Sequence, residues 1–187
     1  MDFRTVDQVP FRRLGNINLT KATFARDGTN ARQVKTTSAI TYINDGVLLS
    51  KAALATTSFS SGHVPVPNGY SCLFVFGLDA AGNVTSYQGR PFKAEGAKYR
   101  GATTDVLTQG ANNVTKVTVG ADLVDFTSAF LPAIPSNITP FGVVKVANAS
   151  GADWTASTNG ANGTALNAAG VTDTYYDVSG LPAASVL

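Results

Sequence analysis

Apolar positions in this chain fall into short runs and alternating stretches separated by Gly, Asn and Asp. The clearest case is "YSCLFVFGLDAAGNVTSYQG" (70–89), in which an apolar run, a turn at 80–83 and an alternating polar stretch follow one another. Because a period of two is typical of strands, this pattern predicts a β-hairpin. The stretch "AITYINDGVLLS" (39–50) predicts a second hairpin around 44–46, where Asp and Gly tolerate the positive φ of a tight turn.

Further strands are predicted later in the chain. "VTKVTVG" (114–120) is a strand candidate, "FGVVKVANASGADWTA" (141–156) predicts a hairpin with a turn near 148–152, and "DTYYDV" (173–178) predicts a late strand. In "ADLVDFTSAF" (121–130), Leu123, Phe126 and Phe130 have helical spacing, although a strand fits this stretch nearly as well. We therefore predict an all-β fold, an antiparallel β-sandwich of jelly-roll or immunoglobulin-like type, with at most one short helix.

The first 35 residues differ from the remainder in charge and in pattern. They carry seven basic residues against three Asp, a net charge of +4, whereas the remaining residues carry a net charge of −2. Their isolated apolar residues follow no clear period. We interpret residues 1–35 as an extended basic N-terminal arm that orders on a partner, and residues 36–187 as a β-rich body. A solvated first strand and loop is an equally good interpretation of the same residues.

Composition agrees with a β-rich fold. Charged residues make up 14% of the 187 residues, against about a quarter in an average domain. Glu95 is the only Glu beside eleven Asp, and exposed helices are normally rich in Glu, Lys, Arg and Gln. A single Cys cannot form an internal disulfide, so we expect packing or oligomerisation to hold the fold together. The N-terminus has no apolar signal-peptide core and no apolar run approaches a membrane span, so we expect neither secretion nor a membrane.

The stretch "SSGHVPVPNGYSCLFVF" (60–76) contains the only His, His63, and the only Cys, Cys72. His63 is the one side chain with an unperturbed pKa near neutrality, and hence the one obvious general base. Pro65 and Pro67 place it in an extended or turning segment, where a surface His is the simpler interpretation. One His and one Cys do not supply the three or four ligands of a zinc site. We therefore predict no catalytic residue, no metal and no cofactor.

The strand that contains Cys72 is apolar on both faces. Cys72, Phe74 and Phe76 share one face, while Leu73 and Val75 share the other. Such a strand is expected to be covered on both sides, either in the core or at a subunit contact. Cys72 is then an inert packing residue, since a thiol in apolar surroundings is not a reactive thiolate.

Other motifs that carry chemistry are missing from the sequence. It contains no phosphate-binding loop, nucleophile elbow or EF-hand loop. Asp122 and Asp125 are explained as helix-cap and solvent-facing residues. The N-terminal basic residues are poor in aromatic neighbours, so we expect an acidic protein surface rather than direct nucleic-acid binding. The candidate partner-contact residues are the basic ones of the arm: Arg4, Arg12, Arg13, Lys21, Arg26, Arg32 and Lys35.

Three blocks together resemble a group of virion structural proteins of tailed bacteriophages. They are "YINDGVLLSKAALATTSF" (42–59), "YSCLFVFGLDAAGNVTSYQG" (70–89) and the segment 131–182, which includes "LPAIPSNITPFGVVKV" and "TYYD". The resemblance covers roughly residues 36–182. It brings no catalytic residues with it, and it leaves out the N-terminal segment.

The resemblance implies a non-enzymatic capsid decoration (cement) protein, or the base of a head fibre. Such a protein would form a homotrimer on the major capsid protein at the exterior of the virion, after assembly in the cytoplasm of the host bacterium. The alternative is a tail fibre, baseplate or adhesin domain that binds a host-surface glycan or protein through its long Asn/Gly/Thr-rich loops. A glycan-cleaving enzyme is disfavoured by the single Glu and the single His, because glycoside hydrolysis normally needs two well-placed carboxylates.

Overall fold

The computed structural model describes residues 16–93 and 131–179, and every regular element within these ranges is a strand. In chain order the strands are β1 (Ile17–Asn18), β2 (Phe24–Arg26), β3 (Val34–Thr36), β4 (Ile40–Asn44), β5 (Val47–Lys51), β6 (Tyr70–Leu78), β7 (Val84–Gln88), β8 (Thr139–Asn148) and β9 (Val171–Asp177). They form a four-stranded sheet in the order β7-β6-β8-β9, a three-stranded sheet in the order β1-β4-β5, and the pair β2-β3. All pairings are antiparallel. The predicted all-β, sandwich-like fold is confirmed.

The four-stranded sheet is built around β6. Its hairpin with β7 is the one predicted from the alternation over 70–89, and Asp79 closes the turn. The Asp79 carboxylate accepts hydrogen bonds from the backbone N–H groups of Ala81 at 2.9 Å and Asn83 at 2.8 Å, which is the usual role of Asp in a tight turn. On its other side β6 pairs with β8, and β8 pairs with β9, which is the predicted late strand.

The three-stranded sheet contains the second predicted hairpin. β4 and β5 are joined by Asp45 and Gly46, with φ of 49° and 79°. Two consecutive positive φ values define a type I′ turn, whose twist matches that of the strands it connects. The short strand β1 adds to the other side of β4, with Ile17 opposite Ile43.

An aromatic core lies between the four-stranded sheet and the remaining strands. Phe74 and Phe76 of β6 point into it, and the ring of Phe59 packs against both at centroid distances of 5.2 Å. Trp154 packs against Phe59 at 5.6 Å, and Tyr42 of β4 is 1% exposed. Full burial of a large apolar side chain stabilises a fold by about 1.5–3 kcal/mol, so this cluster is a main source of stability.

Residues 16–35 are packed into this fold, which corrects the predicted extended arm over that range. β1 pairs with β4, and β2 pairs with β3. Phe24 is 6% exposed and its ring lies 5.2 Å from that of Phe76. The boundary predicted at residue 35 therefore does not separate an arm from a body. Residues 1–15 lie outside the described residues.

Buried polar side chains hold this N-terminal segment in place. Asn16 Nδ2 donates to the carbonyl of Ser136 at 2.7 Å, and Asn18 Nδ2 donates to the carbonyl of Val178 at 2.6 Å. Both asparagines are buried, at 2% and 0% exposure. A buried polar group left without a partner costs about 1–3 kcal/mol, so these hydrogen bonds fix the segment against residues 136 and 178.

One predicted hairpin does not form. Residues 141–148 belong to β8, but the chain after 148–152 does not return beside β8; Trp154 makes only a single bridge to Val66. Asn148 directs this exit, because its Nδ2 donates to the carbonyls of Val66 and Ala152, each at 2.8 Å. The β9 strand takes the position beside β8 instead. The strand predicted at 114–120 and the helix candidate at 121–130 lie outside the described residues.

Phe24→Ala tests whether the N-terminal segment contributes to the folded core. We expect the free energy of unfolding to fall by about 3–5 kcal/mol, the usual cost of truncating a buried Phe to Ala. Leu19→Ala is the matched control, since Leu19 is 49% exposed in the same segment, and it should change stability much less. Urea denaturation followed by fluorescence measures both. Equal stability of Phe24→Ala and wild type would contradict the packing of residues 16–35.

Candidate functional site

His63 lies in a small polar cluster at the edge of the four-stranded sheet. Its Nε2 is 2.8 Å from Ser86 Oγ on β7, and its ring packs against Phe74 at a centroid distance of 5.3 Å. Ser86 Oγ also accepts the backbone N–H of Ser60 at 2.7 Å, and Ser60 Oγ accepts the backbone N–H of Ser86 at 2.9 Å. The half-buried imidazole therefore helps to fasten the 60–64 segment to β7. Burial lowers the pKa of His63, which favours the neutral ring.

A serine beside a histidine is the arrangement of a nucleophile and its base, but this pair lacks access to a substrate. Ser86 is 3% exposed and its hydroxyl is already held by Ser60. Nucleophilic catalysis requires an oxygen that a substrate can approach, with a third group that orients the base. The geometry supports a structural hydrogen bond, and the ring is half-buried where the sequence suggested a surface His.

Cys72 lies on the inner face of β6 and is fully buried. Desolvation raises the pKa of its thiol to about 11. Hydrogen bonds with the Gln88 side chain and the Leu73 backbone lower this pKa by a smaller amount. The sulfur is 3.3 Å from the carbonyl oxygen of Gly89. At neutral pH the thiol is protonated, and it packs as a small apolar group.

Both faces of the Cys72–Phe76 stretch are covered inside the chain. Cys72, Phe74 and Phe76 belong to the large core cluster. Leu73 and Val75 point to the opposite face and belong to a second cluster, with exposures of 0% and 2%. The residues that cover this face are Phe92, Val143, Leu131, Ile134, Tyr176 and Val178. Of the two alternatives predicted for this strand, core or subunit contact, the structure places all five residues in the core.

Four of the seven predicted contact residues lie in the described part of the chain, and three of these four bind within it. Arg26 Nη1 lies 3.1 Å from Asp173 Oδ1 and 3.3 Å from Oδ2. Lys21 Nζ lies 3.9 Å from Asp177. Arg32 Nε donates to the carbonyl of Gly163 at 3.2 Å, whereas Lys35 is half-buried on β3. Arg4, Arg12 and Arg13 lie outside the described residues.

The side chains on β9 that hold the N-terminal segment are structural contacts that sequence reasoning missed. Asp173, Tyr175 and Asp177 alternate along the strand and share its face toward β2. Tyr175 Oη donates to Asp173 Oδ2 at 2.7 Å; burial and this carboxylate raise the pKa of Tyr175. Asp177 Oδ1 accepts the backbone N–H of Phe24 at 2.8 Å. The alternation "DTYYD" was the available signal, although nothing in it identifies β2 as the partner.

The polar loop at 157–170, one of the long Asn/Gly/Thr-rich loops of the tail or adhesin alternative, is tied down by its own hydrogen bonds. Asn162 Oδ1 accepts from Ser157 Oγ at 3.1 Å and from the backbone N–H of Thr158 at 2.9 Å. Asn30 Nδ2 donates to the carbonyl of Gly160 at 2.8 Å, which fixes the loop to the segment between β2 and β3. Its exposed Asn and Gly residues thus present a preformed surface.

Within the described ranges, no group of three or more His, Cys, Asp or Glu side chains is placed to hold a metal ion. The same ranges contain no helix long and apolar enough to cross a membrane.

A pH titration of stability tests the environment of His63. Since its folded-state pKa lies below the value of about 6.5 in the unfolded chain, the fold disfavours the protonated ring. The stability that neutral His63 provides should be complete above about pH 6.5 and decline as the pH falls below it. Thermal melting of wild type and His63→Gln should show the wild type losing more stability over this window. Parallel curves would exclude a contribution from His63.

Thiol titration tests the burial of Cys72. We expect a colorimetric disulfide reagent to leave the native protein unreacted at mildly alkaline pH, and to detect one thiol per chain after denaturation. Ser61→Cys is the control, because Ser61 is exposed and its replacement should react at once. Rapid reaction of the native wild-type protein would contradict a buried, protonated Cys72.

Within the described residues, His63 and Cys72 have packing and fastening roles. No protein-family model matches the chain, and no curated protein or solved structure matches it significantly.

Proposed function

We propose that this chain is a non-enzymatic structural protein of a tailed-bacteriophage particle, a decoration protein that binds the major capsid lattice and stabilises the head. One observation carries the proposal. The blocks that resemble phage virion proteins supply all four strands β6, β7, β8 and β9 of the central sheet, together with the β4-β5 hairpin. Phe59, at the end of the first block, packs on Phe74 in the second at 5.2 Å. The resemblance therefore falls on one packed unit rather than on scattered segments.

The contacts of the reactive residues support a binding role. His63 and Cys72, the only His and the only Cys of the sequence, are engaged in holding strands together. A protein of this kind acts through the surfaces it presents to a partner.

Contacts inside the chain remove two basic residues from the predicted partner-contact residues. Arg26 and Arg32 serve the fold through Asp173 and Gly163, so we assign capsid contact to Arg4, Arg12, Arg13, Lys21 and Lys35. Lys21 stays in this set because its side chain is 76% exposed and its 3.9 Å pair with Asp177 is loose. Exposed pairs of this kind contribute at most about 1 kcal/mol, so an acidic partner can replace Asp177.

Stabilisation of the head would come from repetition. Each decorating copy adds buried area across a seam between capsid subunits, and each contact is individually weak. When copies are joined, as in the homotrimer that the resemblance implies, the second and third contacts form at high effective concentration. The total binding is then far stronger than that of one copy.

Co-sedimentation with expanded capsids lacking the protein, taken from the phage whose genome carries this gene, tests the proposal. We expect the full-length protein to bind and to raise the temperature at which the capsids break open. The double variant Arg12→Ala/Arg13→Ala should bind more weakly. Arg90→Ala/Lys93→Ala removes the same charge from exposed positions of the folded part and should bind as the wild type does.

Deletion of residues 1–35 is unsuitable for this test, because it removes β1, β2 with the buried Phe24, and most of β3. If the protein fails to bind capsids but binds host cells, the tail fibre or adhesin alternative replaces the decoration role. Binding to neither rejects a virion surface function.

A further inference from the structure

Among the described residues, no strand pairs with the outer edge of β5. Beside β7, the Gln88 side chain bonds to both the N–H and the C=O of Val64, at 2.7 Å and 2.8 Å. Beside β9, Asp177 accepts the backbone N–H of Phe24 on β2. β1 is only two residues long, and Asn18 ties it to Val178. β9 carries the charged side chains of Asp173 and Asp177, whereas the exposed side chains of β5 include Val47 and Leu48.

The side chains of β5 are unusually apolar for an open edge. Val47 is 56% exposed and Leu48 is 64% exposed, and Ser50 is exposed as well. Natural sheets protect open edges with charges, prolines, bulges or very short strands. Within Val47–Lys51 the only such device is Lys51, at the end of the strand.

The hairpin geometry fixes which backbone groups point outward. In a two-residue hairpin the residues next to the turn, Asn44 and Val47, form a hydrogen-bonded pair, and such pairs alternate along the strands. The backbone N–H and C=O groups of Thr41 consequently point away from β5, and its carbonyl accepts the N–H of Leu19 at 2.8 Å. Leu48 and Ser50 therefore direct their N–H and C=O groups away from β4 toward the free edge.

We infer that the β5 edge pairs antiparallel with β5 of a second copy of this chain, about a two-fold axis at Leu49. In this register Leu48 of each copy lies opposite Ser50 of the other. Each of these two pairs forms two hydrogen bonds between backbone N–H and C=O groups, which gives four in all. A register shifted by two residues places Gly46 opposite Ser50, or Ala52 opposite Leu48. Only two of the four hydrogen bonds then join residues of β5. The edge is therefore complementary to itself in one register.

Side chains and charges agree with the same register. The two half-buried Leu49 side chains meet at the axis on the side that faces the core, where Leu49 already packs against the core cluster. Lys51 lies opposite Val47 of the other copy, so its aliphatic part can pack on the valine and no like charges meet. A foreign strand would need its own fit, whereas a second copy provides it by symmetry.

The contact is two-fold and independent of capsid binding. It can join two monomers, or two trimers if the chain is trimeric, because a three-fold assembly must use another surface. Since a five-residue edge buries less area than a permanent interface, we expect reversible association that depends on concentration.

Ser50→Pro tests the pairing through the backbone. The Ser50 N–H points outward, so proline removes a bond to the second copy without removing one to β4. Light scattering over a dilution series should show that the mass of the associated wild type is halved in Ser50→Pro and retained in the control Ser50→Ala. Equal masses for wild type and Ser50→Pro, with both proteins folded by circular dichroism, would overturn the inference.

A cross-linking experiment tests the register and does not depend on the folding of a proline variant. Leu49→Cys should form a reducible covalent dimer under mild oxidation, because two Leu49 positions face each other at the axis. Ser50→Cys should not, since its opposite residue is Leu48, and buried Cys72 serves as an internal negative control. Absence of a dimer for Leu49→Cys, or dimers for Ser50→Cys alone, overturns the proposed pairing.

Hydrogen exchange distinguishes a second copy from a segment of the same chain. The amides of Leu48 and Ser50 should exchange slowly in concentrated wild type and rapidly at high dilution. Slow exchange that persists in the dissociated protein would mean that the chain covers its own edge, and would rule out a second copy as the occupant.

Discussion

The structure depends on one constraint: β6 is apolar on both faces and must be covered on both. Its nine residues are fully or nearly buried apart from Tyr70. The inner face requires the aromatic layer of Phe24, Phe59 and Trp154, and the outer face requires the chain around Phe92 and residues 131–138. The elements that meet these needs come from both halves of the chain. The only His and the only Cys are also fixed by this strand, since Cys72 lies on it and His63 packs against Phe74.

The parts predicted correctly from the sequence are those with local causes. The β4-β5 hairpin follows from Asp45-Gly46, whose residues accept positive φ, and the β6-β7 hairpin follows from alternation around an Asp-Asn turn. The burial of Cys72 on one face and Leu73 on the other follows from the period of a strand. In each case residues within about ten positions decide the conformation, so one sequence is enough to detect it.

The parts predicted incorrectly have distant causes. Residues 16–35 have no period of their own because polar side chains hold them: Asn16 reaches residue 136, and Asn18 reaches residue 178. The contacts of Arg26 with Asp173 and of Lys21 with Asp177 on β9 were not predicted, because they join residues about 150 positions apart. Likewise, the 141–156 hairpin fails because Asn148 directs the chain toward Val66 instead. Contacts between such distant residues cannot be predicted from the residues next to them in the sequence.

The ties of Asn16 and Asn18 also have a consequence for the order in which the fold can form. Both ends of these hydrogen bonds exist only after residues 136 and 178 have been synthesised, and β2 gains its ion pair only when β9 is present. Chains with many long-range pairings fold slowly, since distant segments must meet before they stabilise each other. β1 and β2 therefore gain these contacts only after residues 136–178 have been synthesised. The partner on which residues 16–35 become ordered is the later part of their own chain.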